Sequence, residues 1–521
     1  MNDFTTKLPR QLYRAADVQR LDRIAIDDYG IDGFRLMQSA GAAAFTALLD
    51  RWPQTRHLRV FVGSGNNGGD GYVVARLAVE QGIETRVIQL ASADRLQGDA
   101  RRACDWASEK ALTTCSLSHY MAQEDADPHT VIVDALLGTG LARDVSGDYA
   151  SAIRTINDSG KPVLAIDIPS GLSADTGCPL GDAVRADLTV SFIGMKQGLL
   201  TGMGRDYVGT LLFSDLDIPG KVYANANAPE PSAWRIDIND ATRHLLPRAR
   251  ASHKGNHGHV LVVGGDSGYG GAPLLAAEAA LRAGAGLVSL ITRSVHRPAT
   301  LARRPELMVQ GTEDPGFNPE SLLARADVIV VGPGLGQSDW SRGLMQLVLA
   351  AQLAQRIPLV IDADGLRLLA EKSSASAGAR RDNWVLTPHP GEAAQLLGST
   401  VASLQADRFA AVRALQARWG GSCLLKGSGS LICEGNSSRV SLSTEGNAGM
   451  ATAGMGDVLS GIIGALVAQG LSLADSLRCA VVIHGEAADL AREQGGERGM
   501  LATDLFPHIR QLLNPSTAWQ A

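Results

Sequence analysis

The chain has 521 residues, 45% of them hydrophobic and 20% charged, a globular composition on a length too great for one ordinary core. A net charge of −6 leaves no basic footprint for nucleic acid, and no apolar run approaches the roughly 20 residues that cross a bilayer. The six cysteines form no C-x-x-C pair, which argues against a zinc site or a disulfide framework, and Met1–Lys7 lacks a charged-then-apolar leader, so a reduced cytoplasm fits best.

In chain order, helices are expected near Ala15–Asp28 and Phe34–Arg51. Short apolar runs follow at Leu58–Val62, Thr85–Leu90, Thr130–Val133, Val163–Ile166, Leu188–Ile193 and Thr210–Phe213, each a buried-strand candidate. Helical spacing separates most of them; Val74, Leu77, Ala78 and Gln81 form one such stripe, stopped by Gly82. Alternating strands and helices predict a parallel sheet covered on both faces, a Rossmann-like three-layer α/β/α domain. Ala224–Ser232 carries two prolines and few apolar residues, reads as a linker, and divides the chain into domains at 1–226 and 227–521.

The second half repeats the α/β rhythm with strand candidates at His259–Val263, Leu287–Ile291, Val328–Val331, Leu359–Ile361, Trp384–Leu386 and Ser422–Leu425. Ser430–Cys433 and Arg439–Leu442 then read as antiparallel, following a hairpin at Gly427-Ser428-Gly429. Apolar helices are expected near Asp457–Gln469 and Leu473–Ala491, the second burying His484 as a packed core residue.

Chemistry enters first at Gly63-Ser64-Gly65-Asn66-Asn67-Gly68-Gly69-Asp70-Gly71, between a strand and a helix. It satisfies G-x-G-x-x-G, but the next strand ends Ile88-Gln89-Leu90 with no acidic residue to hold a ribose, which disfavours an ordinary NAD-dependent dehydrogenase. Asp134, Asp167 and Lys196 stand at other strand ends, where open α/β sheets bind ligands. Each read singly is also a capping carboxylate or a solvated loop lysine.

Asn66–Gly71, Val133–Gly140 and Ala165–Gly171 together resemble the NAD(P)H-hydrate epimerases over essentially the whole first half. The resemblance implies a loop, Asn66, Asn67, Gly68, Gly69 and Asp70, that cradles the damaged cofactor's phosphates. It also implies substrate contacts from Gly138, Thr139, Gly140, Leu141, Ala142, Arg143, Asp144 and Asp167, and a potassium ion on oxygens of Asn67, Asp134 and Ser170. The reaction inverts the hydroxylated carbon of a hydrated nicotinamide ring, with Asp167 the leading acid–base candidate and Lys196 its electrostatic or proton-relay partner.

In the second half, Glu445–Gly461 holds five glycines and runs into an apolar helix with Asp457 at its start, aiming backbone N–H groups at one point where an anion would sit. Asp457 could equally be an N-cap there. Lys426-Gly427-Ser428-Gly429-Ser430 reads either as a plain hairpin turn or as a second phosphate nest. Histidines at 253, 257 and 259 lack the carboxylate or cysteine that would complete a metal set.

The order of these elements resembles the ribokinase-like fold, and Gly264–Pro273, Thr387–Glu392 and Asn447–Gly461 resemble the ADP- or ATP-dependent NAD(P)H-hydrate dehydratases. That implies Ala272, Gly336, His389 and Asp457 at the hydrated nucleotide, Lys426–Ser430 and Gly456 at ADP, and Asp457 as the base that activates a substrate hydroxyl. Met455 stands where many kinases of this fold carry a small residue, and its bulk is expected to bear on substrate choice.

The expectation is therefore an α/β chain with a Rossmann-like epimerase domain followed by a ribokinase-like dehydratase domain. It would act on NADHX and NADPHX with ADP as co-substrate, K+ in the first site and Mg2+ in the second, the Val360–Gly365 aspartates serving the magnesium. Family resemblance favours a homo-oligomer; neither nucleic acid nor membrane is expected as a partner. Two rivals stay open: a vitamin or sugar kinase fused to a regulatory domain, and a first half that only binds nucleotides.

Overall fold

The structure is a computed structural model that describes residues 7–110, 112–122, 127–373, 380–435 and 439–514; most of the Met1–Lys7 segment read above for a leader lies outside them. The chain divides into two compact units, Met1–Trp234 and Arg235–Ala521. Ala233 and Trp234, expected with the second half, pair antiparallel with Leu12 and Gln11 of the first. Among the described residues no helix is long and apolar enough to cross a membrane.

The first unit is built on an all-parallel seven-stranded sheet. Across it the strands run Thr113–Ser116, Glu84–Gln89, His57–Val62, Thr130–Ala135, Val163–Ile166, Leu188–Phe192, Thr210–Ser214. Strand order reverses between His57–Val62 and Thr130–Ala135, which opens a crevice outside their carboxyl ends. Alternation explains the two layers of core. Val60, Val62 and Val133 pack on one face with helices Gly33–Arg51 and Asn66–Glu80, while Phe61, Ile132 and Ala165 pack on the other with Ile153 and Ile156. The strand Thr113–Ser116 escapes sequence reading because an exposed edge strand of Thr and Ser has no apolar run.

The first predicted helix is α-helical over Ala15–Arg23 and widens into a π-helix at Ile24–Asp28. Ahead of it, Gln11–Tyr13 pairs parallel with Met195–Lys196, with Tyr13 opposite Lys196. That pairing ties the first helix to the strand end that carries the lysine.

In the second unit nine strands lie side by side as Met308–Gly311, Leu287–Thr292, His259–Val263, Val328–Val331, Leu359–Ile361, Trp384–Leu386, Ser422–Leu425, Ser430–Glu434, Val440–Ser443. The first seven are parallel and the last two antiparallel, with Leu425 opposite Leu431 across the predicted hairpin. Helix Met455–Ala468 is apolar on every side because it is enclosed by helices Gly271–Arg282 and Leu473–Gly495 and by the sheet. Gly461 permits the first of those contacts: a Cβ there would stand 2.1 Å from the Ala276 carbonyl oxygen.

Candidate active sites

In the first unit a cavity of about 1100 Å³ opens at the crevice where strand order reverses. Asn66, Asn67, Asp70, the whole Gly138–Asp144 loop, Asp167 and Lys196 line it, so most residues expected there are brought together. Gly68 and Gly69 do not line it. They lie in the first turn of helix Asn66–Glu80, where a Cβ would strike the Gly63 carbonyl oxygen at 2.2 Å or the Met37 sulfur at 2.5 Å. Their glycine identity is accounted for by packing.

Beneath the loop, Asp134 and Ser170 are fully buried and Asn67 nearly so. The Ser170 hydroxyl donates to Asp134 Oδ1 at 2.6 Å and the Ser170 amide to Oδ2 at 2.7 Å. The Leu137 amide donates to Ser170 Oγ at 2.8 Å, and Asn67 Nδ2 to the Leu137 carbonyl at 3.1 Å. Asn67 Oδ1 is buried with no hydrogen-bond partner. Burial pushes the Asp134 carboxyl up to about 6, against hydrogen bonds from Ser170 and Leu136. A buried carboxylate served by neutral donors, beside an orphaned amide oxygen and a backbone carbonyl, is a hard-oxygen set lacking only positive charge.

Asp167 follows strand Val163–Ile166 in the left-handed region, at φ 66°, and the Ile168 amide bonds back to the Ile166 carbonyl at 2.8 Å. This tight three-residue turn is strained for a residue with a Cβ, at a cost on the order of 1–3 kcal/mol, and it points the chain sharply out of the sheet. Lys196 is wholly buried, so it is not a solvated loop lysine. Its ammonium donates to Asp167 Oδ1, to the Phe192 carbonyl at 2.9 Å and to Ser191 Oγ at 3.2 Å. The Phe192 amide adds a bond to Asp167 Oδ1 at 3.2 Å. Carboxylate and ammonium form one fixed unit at the cavity wall.

In the second unit the expected residues gather at the carboxyl ends of five parallel strands. Gly454, at φ 91°, caps helix Met455–Ala468, and Asp457 stands in its first turn; the N-cap alternative for Asp457 does not hold. A Cβ at Gly456 would lie 3.1 Å from Lys426 Nζ and 3.4 Å from Asp362 Oδ2, so this turn abuts both. Lys426 Nζ donates to Asp362 Oδ1 at 2.7 Å and lies 4.0 Å from Glu392. Burial, and then Asp362, push the Asp457 carboxyl up to about 8, with Lys426 pulling the other way. His389 is half-exposed and accepts the Gly391 amide at 3.0 Å on Nδ1, capping helix Pro390–Leu397; its partial burial and then Lys426 lower its pKa. The Gly336 amide donates to Asp364 Oδ2 at 2.9 Å, which sets that loop against the aspartate-bearing one. Ala272 borders Gly334, whose added Cβ would lie 3.2 Å from the Ala272 Cβ. In the Lys426–Ser430 hairpin Gly427 and Ser428 are exposed, and Ser430 Oγ bonds back to the Gly427 carbonyl at 3.1 Å.

The family described as NAD(P)H-hydrate dehydratase matches residues 260–511, and that described as YjeF-related protein N-terminus matches residues 33–198. The bifunctional NAD(P)H-hydrate repair enzyme Nnr of Coxiella burnetii is 46% identical over 97% of this chain and 99% of its own. Its Escherichia coli namesake is 42% identical over 99% of this chain and 97% of its own. This chain belongs to the bifunctional NAD(P)H-hydrate repair enzymes. A solved ribokinase-like superfamily protein from Enterococcus faecalis is similar to the second unit of this repair-enzyme chain, with a TM-score of 0.50 and 28% identity over 56% of this chain and 98% of that one.

Several groups of this repair-family chain lie at the sites without having been singled out from sequence. Asp22 lines the first cavity, and a signal existed: Val18, Leu21, Asp22 and Ala25 share one helical stripe, and a carboxylate inside an apolar stripe is out of place. Arg408 is buried and reaches the carbonyls of Leu425, Lys426 and Gly429, each at 3.4 Å, so it grips the Lys426–Ser430 hairpin from below. Nothing in its surroundings in sequence marks it. Met455 is buried in the core cluster, so its bulk goes into packing. His484 is buried as expected; Nε2 lacks a partner, and burial and then Lys426 push its pKa down to about 4. Among the described residues no group of three or more His, Cys, Asp or Glu is placed to hold a metal ion.

Proposed function

We propose that this chain repairs hydrated nicotinamide nucleotides, its first unit exchanging the R and S epimers of NADHX and NADPHX and its second dehydrating the S epimer at the expense of ADP. One observation carries the reading: a chain alike end to end to bifunctional repair enzymes holds two unlike carboxylate centres, one in each unit. A dehydratase that accepts one epimer wastes the other unless an isomerase accompanies it, which makes the fusion chemically coherent.

In the second unit Asp457 takes the proton of the substrate hydroxyl, whose oxygen attacks the terminal phosphorus of ADP as the bond to AMP breaks. The amides at the start of helix Met455–Ala468 and the Lys426 ammonium would stabilise the charge that develops on that phosphoryl group. The phosphorylated oxygen then departs as inorganic phosphate, a ring proton is lost, and the double bond of NAD(P)H reforms. Asp362 and Asp364 are the carboxylates that would take the water ligands of Mg2+, which would neutralise the ADP phosphates. Arg408 fixes the hairpin that would hold the nucleotide. In the first unit Asn67, Asp134 and Ser170 would hold K+, supported by the orphaned Asn67 Oδ1 and the buried Asp134 charge. The ion would anchor the Leu136–Gly138 turn against the cavity. Asp167, aimed by Lys196, acts on protons at the hydroxylated carbon.

The test follows the return of NADH absorbance from a mixed-epimer sample. Full recovery is expected with ADP and none without it. Asp457→Ala should abolish recovery and leave epimer exchange intact; Asp167→Ala should do the converse. Recovery that stops at one epimer would remove the isomerase assignment, and a stable phosphorylated product would favour a simple kinase.

A further inference from the structure

We propose that Asp22 is a further catalytic residue of the first site, the carboxylic acid that protonates the ring nitrogen of the substrate while the Lys196-held Asp167 takes the proton of its hydroxyl. The proposal rests on the epimerase reading of that cavity and assigns a role that the reading leaves unfilled.

The need for a second group is chemical. The inverted carbon carries both a hydroxyl and the ring nitrogen, and it loses its configuration most directly if the ring opens. The O–H proton leaves to a base, the freed pair forms C=O, the C–N bond breaks, and its electron pair goes to nitrogen, which must be protonated. Rotation about the neighbouring C–C bond presents the other face of the aldehyde. Nitrogen then re-forms the C–N bond as its proton returns to the acid, and the oxygen recovers its proton from the base. Atoms and charge balance, and both groups end each turnover as they began it. A second group lets both transfers occur together: Asp167 takes the hydroxyl proton, and the Lys196 ammonium is already engaged by Asp167, Ser191 and Phe192.

Asp22 has the placement for the second role. It lines the cavity together with Asp70, Asp167 and Lys196. The pairing of Gln11–Tyr13 with Met195–Lys196 fixes its helix beside the lysine-bearing segment, and the widened turn Ile24–Asp28 begins soon after it. Its Oδ1 is buried with no hydrogen-bond partner. A structural carboxylate in that position would be capped or paired, as Asp134 is by Ser170. Burial, then Lys196 acting downward and Asp167 upward, leave its carboxyl at about 7, so a substantial share of it is the neutral acid near pH 7. The groups facing it are Asp70 from helix Asn66–Glu80, Asp167 and Lys196 from the strand ends, and the Tyr223 phenol, which donates to the Ile193 carbonyl at 2.8 Å. A carboxyl pushed toward its neutral form near a lysine-paired carboxylate is the arrangement that separates two carboxyl groups into donor and acceptor.

The experiment measures epimer exchange by the full-length protein with each purified epimer, alongside ADP-dependent dehydration of the accepted one. Asp22→Asn should lower kcat for exchange by about 100-fold or more with KM changed less than about threefold, and leave dehydration unchanged. Asp22→Glu should recover part of the rate. In the wild type, exchange above the uncatalysed background should fall as pH rises through about 7, and that limb should vanish in Asp22→Asn. The proposal is overturned if Asp22→Asn exchanges within about threefold of wild type, if its defect lies in KM, or if the wild-type profile shows no such limb. A wild type that fails to exchange epimers at all overturns the epimerase reading as well, so the two failures are told apart.

Discussion

The pH dependence of the dehydratase is the most direct test of Asp457. Burial, then Asp362, raise its carboxyl to about 8, Lys426 lowers it, and Asp364 and Glu392 raise it further. A base works only as its anion. With ADP limiting and the S epimer saturating, kcat/KM for ADP should climb about tenfold per pH unit, stand near a tenth of its plateau at pH 7, and level above pH 8. Two variants fix the origin of the break. Lys426→Met removes a neighbour that favours the anion and should move it to higher pH; Asp362→Asn removes the strongest neighbouring anion and should move it lower, each by roughly one pH unit. The same carboxyl sets a stability trend. Between its unfolded value of 3.8 and about 8 the folded chain binds the proton more tightly than the unfolded one, so this contribution is complete at low pH and is lost as pH rises. The melting temperature of the second unit should decline across that window, less so in Asp457→Asn. Initial rates of NADH return at fixed free Mg2+ supply the profile. A kcat/KM that is flat from about pH 6 to 9, or two charge variants that move the break in the same direction, would refute Asp457 as an electrostatically raised base.

Potassium should raise the melting temperature of the first unit and speed epimer exchange, and Asp134→Ala should lose both effects; at about 100 times its dissociation constant the ion is worth ~2.7 kcal/mol, readable by calorimetry in potassium against tetramethylammonium salts. Arg408→Met strips the support from the Lys426–Ser430 hairpin and leaves its carbonyls short of a donor; KM for ADP should rise about tenfold while epimer exchange stays at wild-type rates. Gly63→Ala places a Cβ 1.9 Å from the Leu136 carbonyl oxygen and should cost about 3 kcal/mol in urea unfolding. Gly65→Ala is the control, since nothing lies within 4 Å of its Cβ position and its backbone sits at φ −97°; as the helix N-cap it should lose only about 1 kcal/mol or less.

The buried parallel strands were legible because their sequences are unbroken apolar runs: Val163–Ile166, His259–Val263 and Val328–Val331 have the bounds read from sequence. Edges were not. Thr113–Ser116 and Met308–Gly311 carry no such run, since an edge strand needs to bury only part of itself. Loops that border the cavity could be read from their glycines, but sequence did not separate glycines that open a cavity from those that permit packing. One loop shows the difference: Asn66 and Asn67 reach the cavity, while Gly68 and Gly69 pass behind it. Arg408 and Asp22 show the other limit. For Arg408 the importance comes from what tertiary contact places against it, and a lone charge on a helix does not announce which face the fold will bury; for Asp22 the apolar stripe marked the buried face but not the cavity it meets.

The two units show how one topology is put to unlike uses. Each reverses strand order between its first and fourth sequential strand, and each needs a glycine directly after the first: a Cβ at Gly63 would meet the Leu136 oxygen at 1.9 Å, and one at Gly264 the Pro333 oxygen at 2.0 Å. The structural counterpart of Gly264 is therefore Gly63. What fills the crevice differs. In the first unit side-chain oxygens of Asn67, Asp134 and Ser170 gather beneath it, and Asn67 reaches the cavity. In the second, the crossing loops satisfy each other through the backbone, the Gly265 and Asp266 amides donating to the Gly334 carbonyl at 3.0 and 2.8 Å. With the crevice closed by main chain, charged groups collect further along the sheet, where Asp362, Glu392 and Lys426 face the start of helix Met455–Ala468. Topology sets where a ligand can be met, and the side chains at each strand end decide which reaction follows.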